Sequence, residues 1–347
     1  MDSPELVRSI HLDYLRAGAR CITTNTFGAN RAHLTSLGQG GRVAEISRSG
    51  AELARQAIAS FRQQSGDEGP HFVLGSVGPT PSGIEPSAAA RAIYGEQVRA
   101  LVEGGVDALL LETFDSLMHI EVILGVLGDL SERPPAIVQM TFHQRYPEPG
   151  WHHDPVAFVQ AVAAMGAEVV GINCLPPWDA QSIIEKVHAI PEAKSGQVLL
   201  SAMPNAGGFQ RIGRRYMTRV NPEYMGRLAP TFAGFGVRLI GGCCEVHPEH
   251  VREMNSYLHS SQPRWNRGSE QQSAVSGQQA APIQPLGHHA GSSTVGSRPD
   301  VLVPLPRETF ALPREERILD EPLQIDVMFG RIFSPGIRRQ ACFEAGA

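Results

Sequence analysis

Cysteine is scarce in this sequence, with five among 347 residues. In the reducing compartment expected below, five cysteines are not expected to form a disulfide framework, so clustered thiols point to a metal or to catalysis. Lysine is scarcer still: Lys186 and Lys194 are the only two, and neither ends an apolar run. A barrel lyase or aldolase working through a site lysine is set aside on that ground. No stretch approaches the ~18 apolar residues that cross a bilayer. The opening MDSPELVRSIHLDYL carries acids and no apolar signal core, so no secretory leader is expected and the cytoplasm is the expected compartment. A net charge of −5 without a basic tract gives no footprint for nucleic acid or anionic lipid.

What is present is a repeated unit. Short apolar runs at 20–24, 72–75, 107–112, 136–140, 168–173, 197–202 and 237–242 have the composition of strands buried on both faces, as in a parallel sheet. Between them, segments such as 42–61, 87–105 and 154–166 space apolar residues three and four apart and carry a glycine near the end. A leading helix is expected from Pro4, with Ser3 as its N-cap and Gly18 past its end. Strand-helix units of this length predict an α/β fold of the (β/α)8 TIM-barrel type. Only seven strands are found, so the barrel is expected to lack its first strand. The domain is expected over residues 1–260.

The composition then shifts. From Gln262 to Asp300, 21 of 39 residues are Gly, Ser, Gln or Pro, which predicts a disordered linker over 261–300. Residues 301–347 mix apolar, charged and proline residues without a sustained period, and no structure is assigned to them.

Set on the barrel, the unusual residues gather at strand C-termini: Thr24 and Asn25, Gly75 and Ser76, Glu112, Asn173 and Cys174, Pro204 and Asn205, and Gly241 to Cys244. Strand C-termini form the catalytic rim of such a barrel. Cys174 ends the expected sixth strand, and Cys243 with Cys244 ends the eighth, so three sulfurs can converge at one mouth. Three thiolates with one open position form a catalytic zinc arrangement, because structural zinc fills all four positions with protein ligands. A buried cysteine is more often a small core hydrophobe, and Cys21 and Cys342 keep that reading. A sulfur-rich shell of net charge −1 keeps a bound substrate sulfur electron-rich, which suits alkyl transfer better than hydrolysis.

The motifs then resemble a known family. GGCCEVHPEHV (241–251) resembles the GGCCGTTPEHI signature of the zinc-dependent homocysteine S-methyltransferases. The likeness extends through AGARCITTNTFGAN, GSVGPT, GVDALLLETF, VVGINC and PNAG, and covers about residues 4–258. It implies a (β/α)8 barrel, zinc on Cys174, Cys243 and Cys244, and Glu112 on the amino group of homocysteine. Asn25, Asn173 and Ser76 are candidate substrate contacts, although Asn25 and Asn173 could equally cap strand ends and Ser76 could simply shape its loop. His250 is read as a supporting or surface residue, His152 and His153 as a solvated loop pair, and Trp178 as a wall or cap of the pocket. The methyl donor implied is one of S-methylmethionine, S-adenosylmethionine, betaine, or methylcobalamin charged from methyltetrahydrofolate. RRYMTRVNPEYMGRLA (214–229) is most like bacterial members joined to methylenetetrahydrofolate reductase, which makes that reductase a possible fused or separate partner.

Two departures limit the likeness. Family members begin with a strand ending in a DGAMGT-like run, and its aspartate is absent here. After the cysteine pair, Glu245, Val246 and His247 replace GTT. Two readings follow: an active zinc methyltransferase making methionine, or a truncated, impaired zinc-binding barrel that serves at most as a binding module.

Overall fold

The computed structural model describes residues 3–81, 84, 87–142, 153–206, 210–212, 215–217 and 220–260. The expected linker and tail, and His152 of the loop pair, lie outside them. His153 is exposed.

Helix α1 (Pro4–Arg16) precedes β1 (Cys21–Thr23), α2 (Arg31–Ser36) and α3 (Val43–Ser65). Strands β2 (Phe72–Val77), β3 (Ala108–Phe114), β4 (Ala136–Met140) and β5 (Val169–Asn173) then alternate with α4 (Ala88–Glu103), α5 (Leu117–Gly128) and α6 (Pro155–Ala164). After β5 come α7 (Pro177–Val187), α8 (Pro191–Lys194), β6 (Leu199–Met203), a hairpin of β7 (Gln210–Ile212) and β8 (Arg215–Met217), α9 (Pro222–Gly234), β9 (Val237–Ile240) and α10 (Pro248–Leu258). Seven strands form one parallel sheet in the order β1-β2-β3-β4-β5-β6-β9, curled into an open barrel. All seven expected strands are present. The antiparallel hairpin β7-β8 was not anticipated, because its three-residue strands are too short to set up a pattern. Among the described residues no strand lies between β1 and β9, in keeping with the expected gap.

Local chemistry explains most boundaries. Asp154 and Asn221 cap α6 and α9 by accepting from the N–H groups of Val156 (3.1 Å) and Tyr224 (2.8 Å), each followed by a proline at the first helical position. Ser3 departs from expectation: its side chain makes no capping bond, and its carbonyl accepts from Val7 N–H instead. Helix α3 buries Ala51, Ala54, Ala57 and Ile58 on one stripe and stops at Gly66, whose φ of 70° suits glycine. No helix among the described residues is long and apolar enough to cross a membrane.

The two-residue period of the strands sorts their side chains into two layers. Leu109, Leu111, Val138, Val170 and Ala202 join the helices in the larger core. Full burial of each leucine contributes about 1.5–3 kcal/mol. Leu74, Leu110, Ile137, Val169 and Leu239 fill the barrel interior. Two residues further along β3 and four along β5, the same inward face presents Glu112 and Asn173. Between them Gly171 is obligatory in size, because a Cβ there would lie 1.9 Å from the Ser201 carbonyl oxygen.

Candidate metal and substrate site

The C-terminal ends of β5 and β9 bring the three cysteines together. Their Sγ atoms lie within 4.8 Å of one another, and Cys174 and Cys244 are 3.7 Å apart. Cys174 reaches this position in a left-handed conformation, φ 58°, while its N–H donates to Met203 O at 3.2 Å. A non-glycine residue held there is strained unless its surroundings fix it. Cys243 and Cys244 are fixed by backbone bonds to the β6 loop, Cys243 N to Pro204 O (2.9 Å) and Ala206 N to Cys244 O (3.0 Å). Gly242 matters for space rather than for φ, since a Cβ there would fall 2.3 Å from the Val246 side chain.

The electrostatics fit a divalent cation. Hydrogen bonding to Cys174, burial, and the neighbouring charges of Cys174, Cys244 and Glu112 all push the Cys243 thiol up. Burial and the charge of Cys174 raise Cys244 as well. Three thiolates this close repel one another, and a +2 ion at their centre removes that cost. Sulfur donors suit zinc among the common divalent ions.

Glu112 and Ser76 stand at the same mouth. The Ser76 hydroxyl donates to Glu112 Oε1 at 2.5 Å. Burial, and the charge of Cys174, hold the Glu112 carboxyl above its ordinary range, with the Ser76 bond opposing them. Ser76 is itself held by Thr24, which the strand pattern places at the rim, and by Thr26, which it does not single out: the Ser76 N–H donates to Thr24 Oγ1 (2.9 Å), and Thr26 Oγ1 donates to the Ser76 carbonyl (2.8 Å). Asn173 is fully buried and bonds Thr113, with its Nδ2 directed at Cys243 Sγ at 3.8 Å. Thr113 escaped the sequence reading. Its φ of 63° is visible only in three dimensions. The Thr141 hydroxyl, at the end of β4, donates to Cys174 O at 3.3 Å.

The other candidates divide. Asn25 is exposed at the end of β1, on the wall of a cavity that also reaches Cys243. His250 is buried and structural: its Nδ1 accepts from His247 N–H (3.0 Å) and its Nε2–H donates to Val220 O (3.3 Å). Trp178, in α7, is exposed. Of the three residues replacing GTT, Glu245 has φ 65°, Val246 is buried and His247 is exposed.

The chain has relatives in sequence and fold. The family model described as homocysteine S-methyltransferase matches residues 1–258. Methionine synthase of Mycobacterium tuberculosis is 29% identical over 262 residues, covering 72% of this chain and 21% of that protein. Homocysteine S-methyltransferase of Escherichia coli K12 is 28% identical over 275 residues, covering 74% of this chain and 85% of that protein. The chain therefore spans about a fifth of the length of the methionine synthase it matches. The solved oxidized form of the homocysteine methyltransferase MmuM from E. coli superposes with a TM-score of 0.58 at 26% identity, over 73% of this chain and 84% of that one. Its metallated form gives a TM-score of 0.59 at 23% identity, over 74% and 85%. A parallel αβ barrel whose rim gathers three thiols beside a half-buried glutamate, matched by the family model along nearly all of its described residues, belongs to the homocysteine S-methyltransferase family.

Proposed function

We propose that the chain transfers a methyl group to the thiol of homocysteine, giving methionine, with Cys174, Cys243 and Cys244 as zinc ligands. The convergence of three sulfurs within 4.8 Å beside Glu112 carries this reading. Zinc bound there would supply Lewis acidity that keeps the substrate sulfur as a thiolate. In the transfer, the bond from the methyl carbon to its donor breaks, a sulfur–carbon bond forms, the donor leaves with the electron pair, and the thiol proton goes to solvent. Glu112 pairs with the substrate ammonium and is oriented by Ser76. Its burial makes the empty site costly and the ammonium-filled site favourable. Asn173 steadies Cys243 and the Glu112 loop together, and Asn25 forms part of the rim.

The donor is one of the sulfonium, quaternary ammonium or methylcobalamin compounds that related barrels use. A methylenetetrahydrofolate reductase, fused or separate, would feed the last of these. Free thiols at the site suit the reducing cytoplasm. An impaired binding module is the second reading, favoured by the lack, among the described residues, of a strand joining β1 to β9. Metal analysis combined with methionine formation from each donor separates the two. Zinc retained without methionine from any donor selects the module, and a chain that binds no zinc overturns both.

A further inference from the structure

Gln97 is out of place by residue type. The buried stripe of α4 includes Ala90, Tyr94, Gln97, Val98 and Leu101, the three- and four-residue spacing of a helix face turned to a core. Gln97 therefore holds a position where an apolar side chain is expected, and it is 0% exposed. Its Nε2 donates to Thr26 O at 2.7 Å and to Ser76 O at 3.3 Å. Both partners are carbonyls, so the amide must present its nitrogen to them. Its Oε1 is left without a partner among the described residues. A buried acceptor left unpaired costs stability, so the packing of α4 does not account for a glutamine here.

What Gln97 holds is a ring of hydrogen bonds. The Ser76 N–H donates to Thr24 Oγ1, and Thr26 Oγ1 donates to Ser76 O. The two threonine hydroxyls lie 2.7 Å apart. Because the Thr26 proton is committed to Ser76, Thr24 is the donor between them. The bonds thus run one way round, from the Ser76 N–H through both threonines and back to the Ser76 carbonyl. All three residues are buried. With both of its backbone groups fixed, Ser76 directs its hydroxyl to Glu112 Oε1. The Gly78 N–H, donating to Phe27 O at 3.1 Å, ties the same two rim segments once more.

We propose that Gln97 is a positioning residue for the amino-group end of the site. From α4 it pins the carbonyls of Thr26 and Ser76 together, keeps the ring closed, and so aims the Ser76 hydroxyl that orients Glu112. This rests on the reading of Glu112 as the partner of the substrate ammonium. Gln97 touches no substrate. It sets how strongly the site distinguishes a thiol that carries an amino group from one that does not, because preorganised charge binds its partner without paying to reorient.

Titration calorimetry on the zinc-loaded full chain tests this, with homocysteine and its amino-free counterpart 4-mercaptobutyrate as the two probes. Gln97→Met keeps the volume of the side chain and removes both donations. It should raise the Kd for homocysteine at least about threefold, the scale of one lost hydrogen bond, and leave the Kd for 4-mercaptobutyrate unchanged. Thr26→Val opens the ring with little change of shape and should act in the same direction. Gln97→Met combined with Ser76→Ala should bind homocysteine no more weakly than Ser76→Ala alone, since one residue works through the other. Val98→Ala, a neighbouring buried truncation in α4, should lower Tm and leave the ratio of the two Kd values as it was. Equal weakening of both probes by Gln97→Met and Thr26→Val would make the role purely structural and overturn the proposal. Additive effects of Gln97→Met and Ser76→Ala, or a homocysteine Kd that neither Gln97→Met nor Thr26→Val alters, overturn it as well. A parent chain that binds both probes equally removes the Glu112 reading itself, and this proposal with it.

Discussion

Asn173 and Thr113 hold each other by two hydrogen bonds: the Asn173 Nδ2 donates to Thr113 Oγ1 at 2.7 Å, and Thr113 N–H donates to Asn173 Oδ1 at 2.9 Å. One residue follows Glu112 and the other precedes Cys174, so this clamp joins the carboxylate end of the site to its sulfur end. It also holds Thr113 in a left-handed conformation that its β-branched side chain resists.

Asn173→Ala leaves the Thr113 N–H without its acceptor, at a cost of about 1–3 kcal/mol. Asn173→Asp keeps that acceptor and loses the donor toward Thr113 Oγ1 and Cys243. Both should unfold at lower denaturant, with alanine the worse in stability and both weaker than the parent in metal retention under chelator competition. Unchanged retention in both variants would separate the clamp from the sulfur site.

Metal analysis of the purified chain should find about one zinc, and Cys243→Ser or Cys244→Ser should lose most of it. Full retention in both variants removes these residues as ligands.

Glu112→Gln should raise KM for homocysteine at least about tenfold, because a neutral amide cannot pair with the buried ammonium. Ser76→Ala should change it in the same direction by less, since Ser76 orients the carboxylate without carrying charge. A KM unaffected by Glu112→Gln would assign the amino group another partner.

Gly171→Ala places a methyl carbon 1.9 Å from the Ser201 carbonyl oxygen between two fully paired strands. The cost should be about 1–3 kcal/mol or more, read as a fall in Tm. A variant as stable as the parent would mean that β5 and β6 can separate freely.

Stability should decline on the acid side. Burial, and then the Arg20 charge, hold the His71 imidazole below its ordinary value of 6.5, with Asp67 opposing. Burial lowers His11 from the same 6.5. As pH falls below about 6.5 the unfolded chain takes up these protons before the folded one, so stability present above that pH is lost through the window down to the folded values. His71→Gln should shrink the Tm difference between about pH 7.5 and about pH 5.5. An unaltered difference would assign the acid limb to other groups.

The seven strands were legible because each is a short apolar run between helical patterns, and burial on both faces writes itself into composition. The cysteine pair was legible for the opposite reason, as a local oddity at a strand end. The hairpin β7-β8 was not, nor was the role of His250, whose partners lie at residues 247 and 220 and whose ring completes a helix start rather than a reaction.

Sequence alone determined the periodicities and the chemical types: parallel strands, amphipathic helices, three thiols and one acid at strand ends. Those follow from neighbours within a few residues, where backbone geometry and side-chain period act. The tertiary structure decided which of these groups meet. Thr24 supports Ser76 across 52 residues, and Asn173 meets Thr113 across 60. Such pairs are set by strand register and by the curl of the sheet, and each hydrogen bond joins residues whose sequence neighbourhoods carry no trace of the other.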